Sequence, residues 1–338
     1  MPCICIVPAV EGIGGMATFR HRFEAGLARR GIAVTHDTRS RCDALLVIAG
    51  TRHLGALLRA RRRGIRIVQR LDGINWIQRR RYTGARHFVR AEYGNLILWL
   101  IRGRLAAHIL YQSQFTRAWW NDWYGKPAAA SSVVHNGVPL DEFNPQGERR
   151  PPGAGHRLLV VEGSLGGGYG MGLENAVHLA QQLQHQHGLP IELMVVGKLD
   201  PSHQAALARR ASIPIVWEGA VPRDRIPEID RSAQVLFSAD LNPACPNAVI
   251  EALACGLPVA AFDTGALREL VRGDAGRLVP YGGDPWRLQQ PDIPALARAA
   301  AEILRDQDRF RVAARTHAEQ ELGFEKMLDG YLKVLLEG

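Results

Sequence analysis

What most narrows the fold of this chain is an alternation of short apolar runs with segments of helical period. Residues 3–7, CICIV, are too short for a buried helix, and after them Met16, Phe19, Phe23 and Leu27 recur at helical spacing over residues 16–30. Apolar runs return at residues 32–35, 44–48 and 65–69, with a basic helical segment at 53–63 between the last two. A further run at 108–112 leads to Ser113, a suitable N-cap for a helix carrying Phe115, Trp119 and Trp120, and residues 131–134 form the next strand. This alternation predicts a parallel sheet covered by helices on both faces, with ligands bound where the strands end.

The pattern stops at FNPQGERRPPGAGH, residues 143–156, which has no apolar period and is dense in Pro, Gly and charge. It then restarts: a strand at 157–162, the loop GSLGGGYGMG at 163–172, and helix–strand pairs at 173–187 with 191–196, 202–211 with 215–217, 223–231 with 235–237, and 248–255 with 259–262. A helix at 266–272 follows, and helices run from Pro294 to the amphipathic Phe324 to Leu336. At 338 residues the chain exceeds the size at which one core stops growing. The expectation is an α/β protein of two doubly wound domains, residues 1–148 and 149–322, facing across a cleft that holds the active site, followed by a C-terminal helix at 323–338.

Charge is uneven. Through Arg150 there are 24 Lys/Arg and 10 Asp/Glu, against 18 and 23 beyond it, so the net +9 conceals a basic first half and a mildly acidic second. A basic domain meets something anionic: a membrane surface, a lipid-phosphate acceptor or a nucleic acid would all qualify. Nucleic acid is disfavoured, because the basic residues lie in an α/β pattern without a recognition module. The tract from Gln78 to Trp123 interleaves arginines with aromatic residues, as does a helix lying on an anionic membrane or covering a sheet. No apolar run approaches the roughly 20 residues that span a bilayer, and no signal-like segment opens the chain. The five cysteines are odd in number and sit mostly in apolar patterns, so they are read as reduced thiols of a cytoplasmic protein. No Cys/His spacing fits a metal site.

Chemistry concentrates at strand ends. Gly12, Gly14 and Gly15 fall between the first strand and helix, where backbone N–H groups approach a phosphate or sugar closely. The spacing is not a good G-x-G-x-x-G, and no acid follows the second strand, so a dinucleotide enzyme is disfavoured. Arg70 and Asp72 fall at the end of the strand 65–69: Arg70 is placed to neutralise a phosphate, and Asp72 to orient or deprotonate an acceptor hydroxyl; a local pair tightening a turn is the competing reading. In NPACPNAVIEALACGLPV, residues 242–259, Pro246 ends an extended segment, Asn247 suits an N-cap, and Gly256 with Pro258 ends the helix. Glu251, the lone acid of an otherwise apolar helix, is either complementing the helix dipole or accepting from two adjacent ligand hydroxyls.

Several segments in order, EGIGGMATF, HNGVPLDEFNP, LMVVGKLD, VWEGAVPRDRIPEIDRSAQVLFSAD and PNAVIEALACGLPVAAFDTGALREL, resemble the family-4 glycosyltransferases (glycosyl transferases group 1) of the GT-B fold. The resemblance covers nearly the whole chain and is strongest from Leu193 to Leu270. It implies two Rossmann-like domains, a nucleotide-sugar donor, UDP- or GDP-linked, on the second, an acceptor on the first, no cofactor or catalytic metal, transfer with retention of configuration, and a C-terminal helix, 323–338, that crosses back to pack on the first domain. Glu251 matches the second glutamate of the family's E-x7-E motif, which binds ribose. The first falls at Pro243, for which Asp240 or the backbone of residues 244–247 would have to stand in. The family's Arg/Lys pair on the pyrophosphate falls at Ser164 and Met171, so the leaving group's charge would pass to Lys198, Arg70, the N–H groups at Gly14 and Gly15, or residues 166–170 acting as an anion nest.

The site implied is therefore Asp72, Arg70 and Lys198 for catalysis, with Gly14, Gly15, Gly163, Ser164, Lys198, Pro246, Asn247, Ala248, Val249 and Glu251 holding the donor. The function implied is a retaining, metal-independent glycosyltransferase of polysaccharide biosynthesis acting on a glycan or lipid-linked acceptor, peripheral to the inner face of the plasma membrane. The alternative is a non-catalytic GT-B protein that binds a nucleotide or sugar, favoured by the missing charges.

Overall fold

The computed structural model describes residues 1–12, 14–165 and 170–337, with Ser164 by its backbone alone. Two compact units result: residues 1–137 with 324–338, and residues 138–323.

In unit 1 the strands are β1 (Cys3–Val7), β2 (Ala33–Thr35), β3 (Ala44–Ile48), β4 (Arg66–Leu71), β5 (His108–Tyr111) and β6 (Ala130–Val133). They form one parallel sheet in the order β2-β1-β3-β4-β5-β6. Side chains alternate between its faces. Ile4, Ile6, Leu46, Ile48, Val68 and Leu110 pack on one side beneath α1 (Gly15–Arg29) and α12 (Phe324–Leu336). Cys5, Val7, Leu45, Val47 and Ile67 pack on the other beneath α2 (Leu54–Arg62) and α3 (Ala85–Leu100). The expected helix from Gln78 onward is shorter than the sequence implied. Gly84, at φ 92°, breaks the chain before α3, and only a 3-10 turn, Ile77–Arg79, precedes it. The helix α4 (Gln114–Tyr124) is capped by Ser113, whose side chain accepts from the Thr116 N–H.

The C-terminal helix α12 belongs to unit 1. Its Tyr331 ring lies 5.1 Å from that of Phe19 and 5.2 Å from that of Phe23. The Glu325 carboxylate meets Arg29 and Arg30 of α1.

Unit 2 repeats the plan with β7 (His156–Ser164), β8 (Ile191–Lys198), β9 (Ile215–Gly219), β10 (Val235–Phe237), β11 (Val259–Phe262) and β12 (Gly276–Val279), all parallel, in the order β12-β11-β10-β7-β8-β9. One face packs under α5 (Gly170–His187) and α10 (Ile293–Arg305); the other under α7 (Ile226–Ser232), α8 (Asn247–Ala254) and α11 (Gln307–Glu321). The strand β12 had no counterpart in the sequence reading. It is a four-residue edge strand opening on Gly276, where a Cβ would meet the Val259 carbonyl, so the glycine that masks the strand pattern is what lets it pair.

The division between the units falls earlier than composition suggested. Val138 already bonds to Leu322 through its N–H, and Phe143 is buried in the core of unit 2. The Pro/Gly-dense tract is therefore a surface segment of unit 2 rather than the join. The helix α8 begins at Asn247, and the residue in the N-cap position is Pro246, extended at φ −70°, ψ 119°, whose carbonyl accepts from the Ile250 N–H. Proline suits this position because it is already fixed near helical φ, and it displaces the expected Asn247 cap by one residue.

Candidate functional site

In each unit the strand order reverses beside the first strand, between β1 and β3 and between β7 and β10. Ligands of open parallel sheets bind at the carboxyl ends of strands near such points. Of the residues singled out from sequence, Gly163 and Lys198 lie at strand ends of unit 2, and Arg70 and Asp72 at a strand end of unit 1.

In unit 2, the end of β7 brings Gly163 and the backbone of Ser164 beside Lys198, which ends β8; Ser164 and Lys198 are register partners, and the Lys198 carbonyl accepts from the Leu165 N–H. Residues 166–169 of the expected anion nest, and the side chain of Ser164, lie outside the described residues. A pocket of 470 Å³ opens at the ends of β8 and β9, lined by Gly197, Lys198, Leu199, Asp200, Gln204, Gly219 and Ala220. Asp200 caps α6 (Pro201–Arg210) by accepting from the Ser202 N–H, which fixes the wall that carries Gln204. Gly197 and Gly219 adopt φ 141° and 67°, conformations that leave the pocket floor bare of side chains.

Glu251 lies in the first turns of α8, 7% exposed, with its Oε1 3.6 Å from Arg223 Nη2. Arg223 follows the pocket wall at Gly219 and Ala220 by a few residues, so one short segment joins the pocket to the glutamate. Behind them, burial and repulsion from Glu251 hold the Asp230 carboxyl well above the usual carboxylate range. Pro246, Asn247 and Ala248 are half-buried at the helix start, while the Val249 side chain is 1% exposed and packed in the core, so its contribution to a ligand is limited to its backbone.

The acid missing at Pro243 has a neighbour that sequence reasoning only half found. Asp240, three residues beyond β10, acts electrostatically on Glu162 near the end of β7, the strand with which β10 pairs. Burial first, then the Asp240 charge, raise the Glu162 carboxyl to about 8, and burial raises Asp240 to about 7. Glu162 was missed because an acid before a Gly-Ser turn reads as ordinary loop chemistry until β10 is known to pair with β7. Pro243 itself is structural: its carbonyl accepts from the Ala266 N–H, and it packs against Gly265 at φ 59°.

In unit 1, Gly14 precedes α1 in extended conformation, with no side-chain cap on the helix, and Gly15 is its first residue. Arg70 lies near the end of β4 and Asp72 just beyond it, but they are not an ion pair. The Arg70 guanidinium lies 4.0 Å over the Phe19 ring, and its Nη2 donates to Asn136 Oδ1 at 2.9 Å. Burial holds the Asp72 carboxyl above its usual range against the lowering pull of Arg70, and the Trp120 indole fixes the Asp72 carbonyl at 2.7 Å. Among the described residues no group of three or more His, Cys, Asp or Glu side chains is arranged to hold a metal ion, and the five cysteines are free thiols.

Comparisons with known proteins agree with this architecture. Residues 157–306 match the family described as Glycosyl transferases group 1. A curated relative, the 2-deoxystreptamine N-acetyl-D-glucosaminyltransferase of Streptomyces fradiae, is 30% identical over 109 residues, a match spanning 32% of this chain and only 24% of that protein. Sucrose-phosphate synthase of Thermosynechococcus elongatus superposes with a TM-score of 0.74 at 17% identity, over 99% of this chain and 98% of that one. Anabaena HepE, solved with UDP and glucose, superposes at 0.71 and 14% identity over all of both chains. WaaG, a glycosyltransferase of lipopolysaccharide biosynthesis, does so at 0.70 and 14% identity over 99% of this chain and 100% of its own. Two doubly wound parallel sheets give the chain the GT-B fold of these structures, and its residues 157–306 are similar in sequence to the glycosyl transferases group 1 family.

Proposed function

We propose that the protein is a retaining glycosyltransferase that moves a sugar from a UDP- or GDP-linked donor to a glycan or lipid-linked acceptor. The observation that carries this reading is the 470 Å³ pocket at the strand ends of unit 2, joined through Arg223 to the buried Glu251, within the segment that matches the family. HepE, of the same fold, is described with UDP bound.

In this reading unit 2 holds the donor. The nucleoside occupies the pocket, and the Glu251 carboxylate accepts from two ribose hydroxyls once Arg223 yields it. Gly163, Ser164 and the first turn of α8, from Pro246 to Val249, present backbone N–H groups, and Lys198 on the pocket rim meets the negative charge of the departing diphosphate. Unit 1 holds the acceptor, with Asp72 accepting the hydroxyl proton or orienting it, Arg70 fixing an anionic group, and the start of α1 at Gly14 and Gly15 offering further donors. The acceptor oxygen bonds to the anomeric carbon as the bond to the diphosphate breaks on the same face. No step is assigned to a metal.

Replacing Glu251 by Ala should weaken UDP binding by about tenfold or more in calorimetry while leaving the fold intact. Wild-type affinity in that variant would remove the donor assignment. Pro243, Ser164 and Met171, where the family carries an acid and two bases, favour a second reading, a non-catalytic nucleotide- or sugar-binding protein. Binding of a nucleotide sugar without its consumption in acceptor-containing extracts would select it.

A further inference from the structure

We propose that Arg70, Gln112 and Asn136 form a subsite on unit 1 for an anionic group of the acceptor, a phosphate or a carboxylate. That the ligand is an acceptor rests on the transferase reading above; that the subsite takes an anion does not.

The three side chains are brought to one face of one rim. Arg70 of β4 lies opposite Leu110 of β5, so Gln112, two residues further on, projects to the same side of the sheet, and Asn136 follows β6 on the next strand over. Arg70 is 2% exposed, Gln112 3% and Asn136 6%. Their hydrogen bonds run in one direction. Arg70 Nη2 donates to Asn136 Oδ1 at 2.9 Å, and Asn136 Nδ2 donates to Gln112 Oε1 at 3.1 Å. Both amide oxygens are thereby used, while Arg70 Nε and Gln112 Nε2 are left buried with no acceptor. What remains open is a pair of donors beside a fixed positive charge.

The other buried arginines of the described residues show what a structural role looks like. Arg102, equally enclosed, donates to the Tyr111 hydroxyl at 2.7 Å, to Asn121 Oδ1 at 2.7 Å and to the Gly125 carbonyl at 2.8 Å. Arg157 is ion-paired with Glu192 at 2.7 Å and bonds to the Arg150 carbonyl at 2.6 Å. Arg70 has one hydrogen bond and the Phe19 ring; the Asp72 carboxyl, on which its charge acts, is pushed toward the neutral form by burial. A buried cation without a counter-charge opposes folding unless something repays it, and a ligand oxyanion would. Arginine, and an amide whose oxygen is already engaged, present donors only, so the group that satisfies both must accept. Phosphate and carboxylate meet that requirement; a sugar hydroxyl meets it in part.

The test uses the full chain without nucleotide and follows the Arg70 Nε–H resonance by NMR, assigned by its loss in Arg70→Lys. The probes are glycerol 3-phosphate and D-glucuronate, with glycerol and D-glucose as uncharged counterparts. The expected result is a saturable shift with at least one anion and none with the uncharged pair; phosphate alone identifies a phosphate-bearing acceptor, and glucuronate alone an acidic sugar. Gln112→Glu keeps the oxygen that accepts from Asn136 and supplies Arg70 with an internal carboxylate. It should retain the wild-type thermal midpoint or exceed it while binding the anion about tenfold more weakly or worse. A resonance that neither anion moves, or wild-type anion affinity in Gln112→Glu, would overturn the proposal. So would a shift of Arg70 by UDP that Gln112→Glu abolishes, because the subsite would then belong to the donor's diphosphate. Failure of the wild-type protein to bind UDP at all would remove the transferase reading without touching the anion result.

Discussion

At the scale of single residues, the acids at the end of β7 and just beyond β10 set a pH dependence that opposes the usual one. Glu162 and Asp240, held up near 8 and 7, keep protons in the folded state that the unfolded chain releases near 4. The native state binds more protons across that window, so their contribution to stability is present below about pH 4 and is lost as pH rises toward 8. Asp240→Asn removes one of the two charges. The variant should gain more thermal stability over the wild type at pH 8 than at pH 5, read as paired melting midpoints; an equal effect at both pH values would mean that the fold does not hold Asp240 protonated. One strand over, Gly197 takes φ 141°, and a Cβ there would run into the Glu162 carbonyl. Gly197→Ala should cost about 2 kcal/mol or more by denaturant unfolding, through strain in a backbone conformation alanine avoids and a forced shift between β7 and β8.

At the scale of elements, apolar periodicity was enough to place nearly every strand and helix, because each strand buried on both faces must be a short apolar run and each covering helix must carry a stripe. It failed where backbone geometry rather than burial decides. Gly276 hides β12, Gly84 cuts the helix before α3, and the proline at the start of α8 moves its cap by one residue. The C-terminal helix was legible from its amphipathic stripe, and its role follows from what that stripe covers. Tyr331, 1% exposed between Phe19 and Phe23, is the keystone of α12 against α1, while the Glu325 ion pairs with Arg29 and Arg30 lie in solvent and contribute little. Tyr331→Ala should therefore destabilise unit 1 by about 3–5 kcal/mol, the cost of a large aromatic lost from a core, whereas Glu325→Ala should stay within about 1 kcal/mol. Comparable losses for the two, in chemical denaturation followed by tryptophan fluorescence, would contradict this account of how the helix is held.

At the scale of the whole molecule, the candidate site was legible only as far as single residues announce themselves. Glu251 stands out as a lone acid in an apolar helix, and Arg70 as a charge at a strand end. Arg223, Glu162 and Gln112 do not, because their significance lies in which strand or helix they end up beside, and sequence spacing carries no trace of it. The charge asymmetry, by contrast, was plain from composition, and the structure gives it a face. Tyr82 is 88% exposed, Val89 67%, Leu96 47%, Tyr93 45% and Phe88 44%, on and just before α3, among Arg80, Arg81, Arg86 and Arg90. None of the described helices is long and apolar enough to cross a membrane. An exposed apolar stripe flanked by arginines is the pattern of a helix that rests in the headgroup region of an anionic bilayer, where each basic residue contributes about 1 kcal/mol and the aromatic rings enter the interface. We accordingly expect the protein to co-sediment with vesicles containing phosphatidylglycerol, to bind pure phosphatidylcholine vesicles far more weakly, and to be released as ionic strength rises toward 0.5 M. Replacing Phe88, Val89 and Tyr93 together by Ser should reduce binding by about tenfold or more without lowering the melting midpoint, since these side chains already face water. Binding that ignores vesicle charge, or that survives the triple substitution unchanged, would turn the surface of α3 back into a solvated basic face and leave the charge of unit 1 to the acceptor alone.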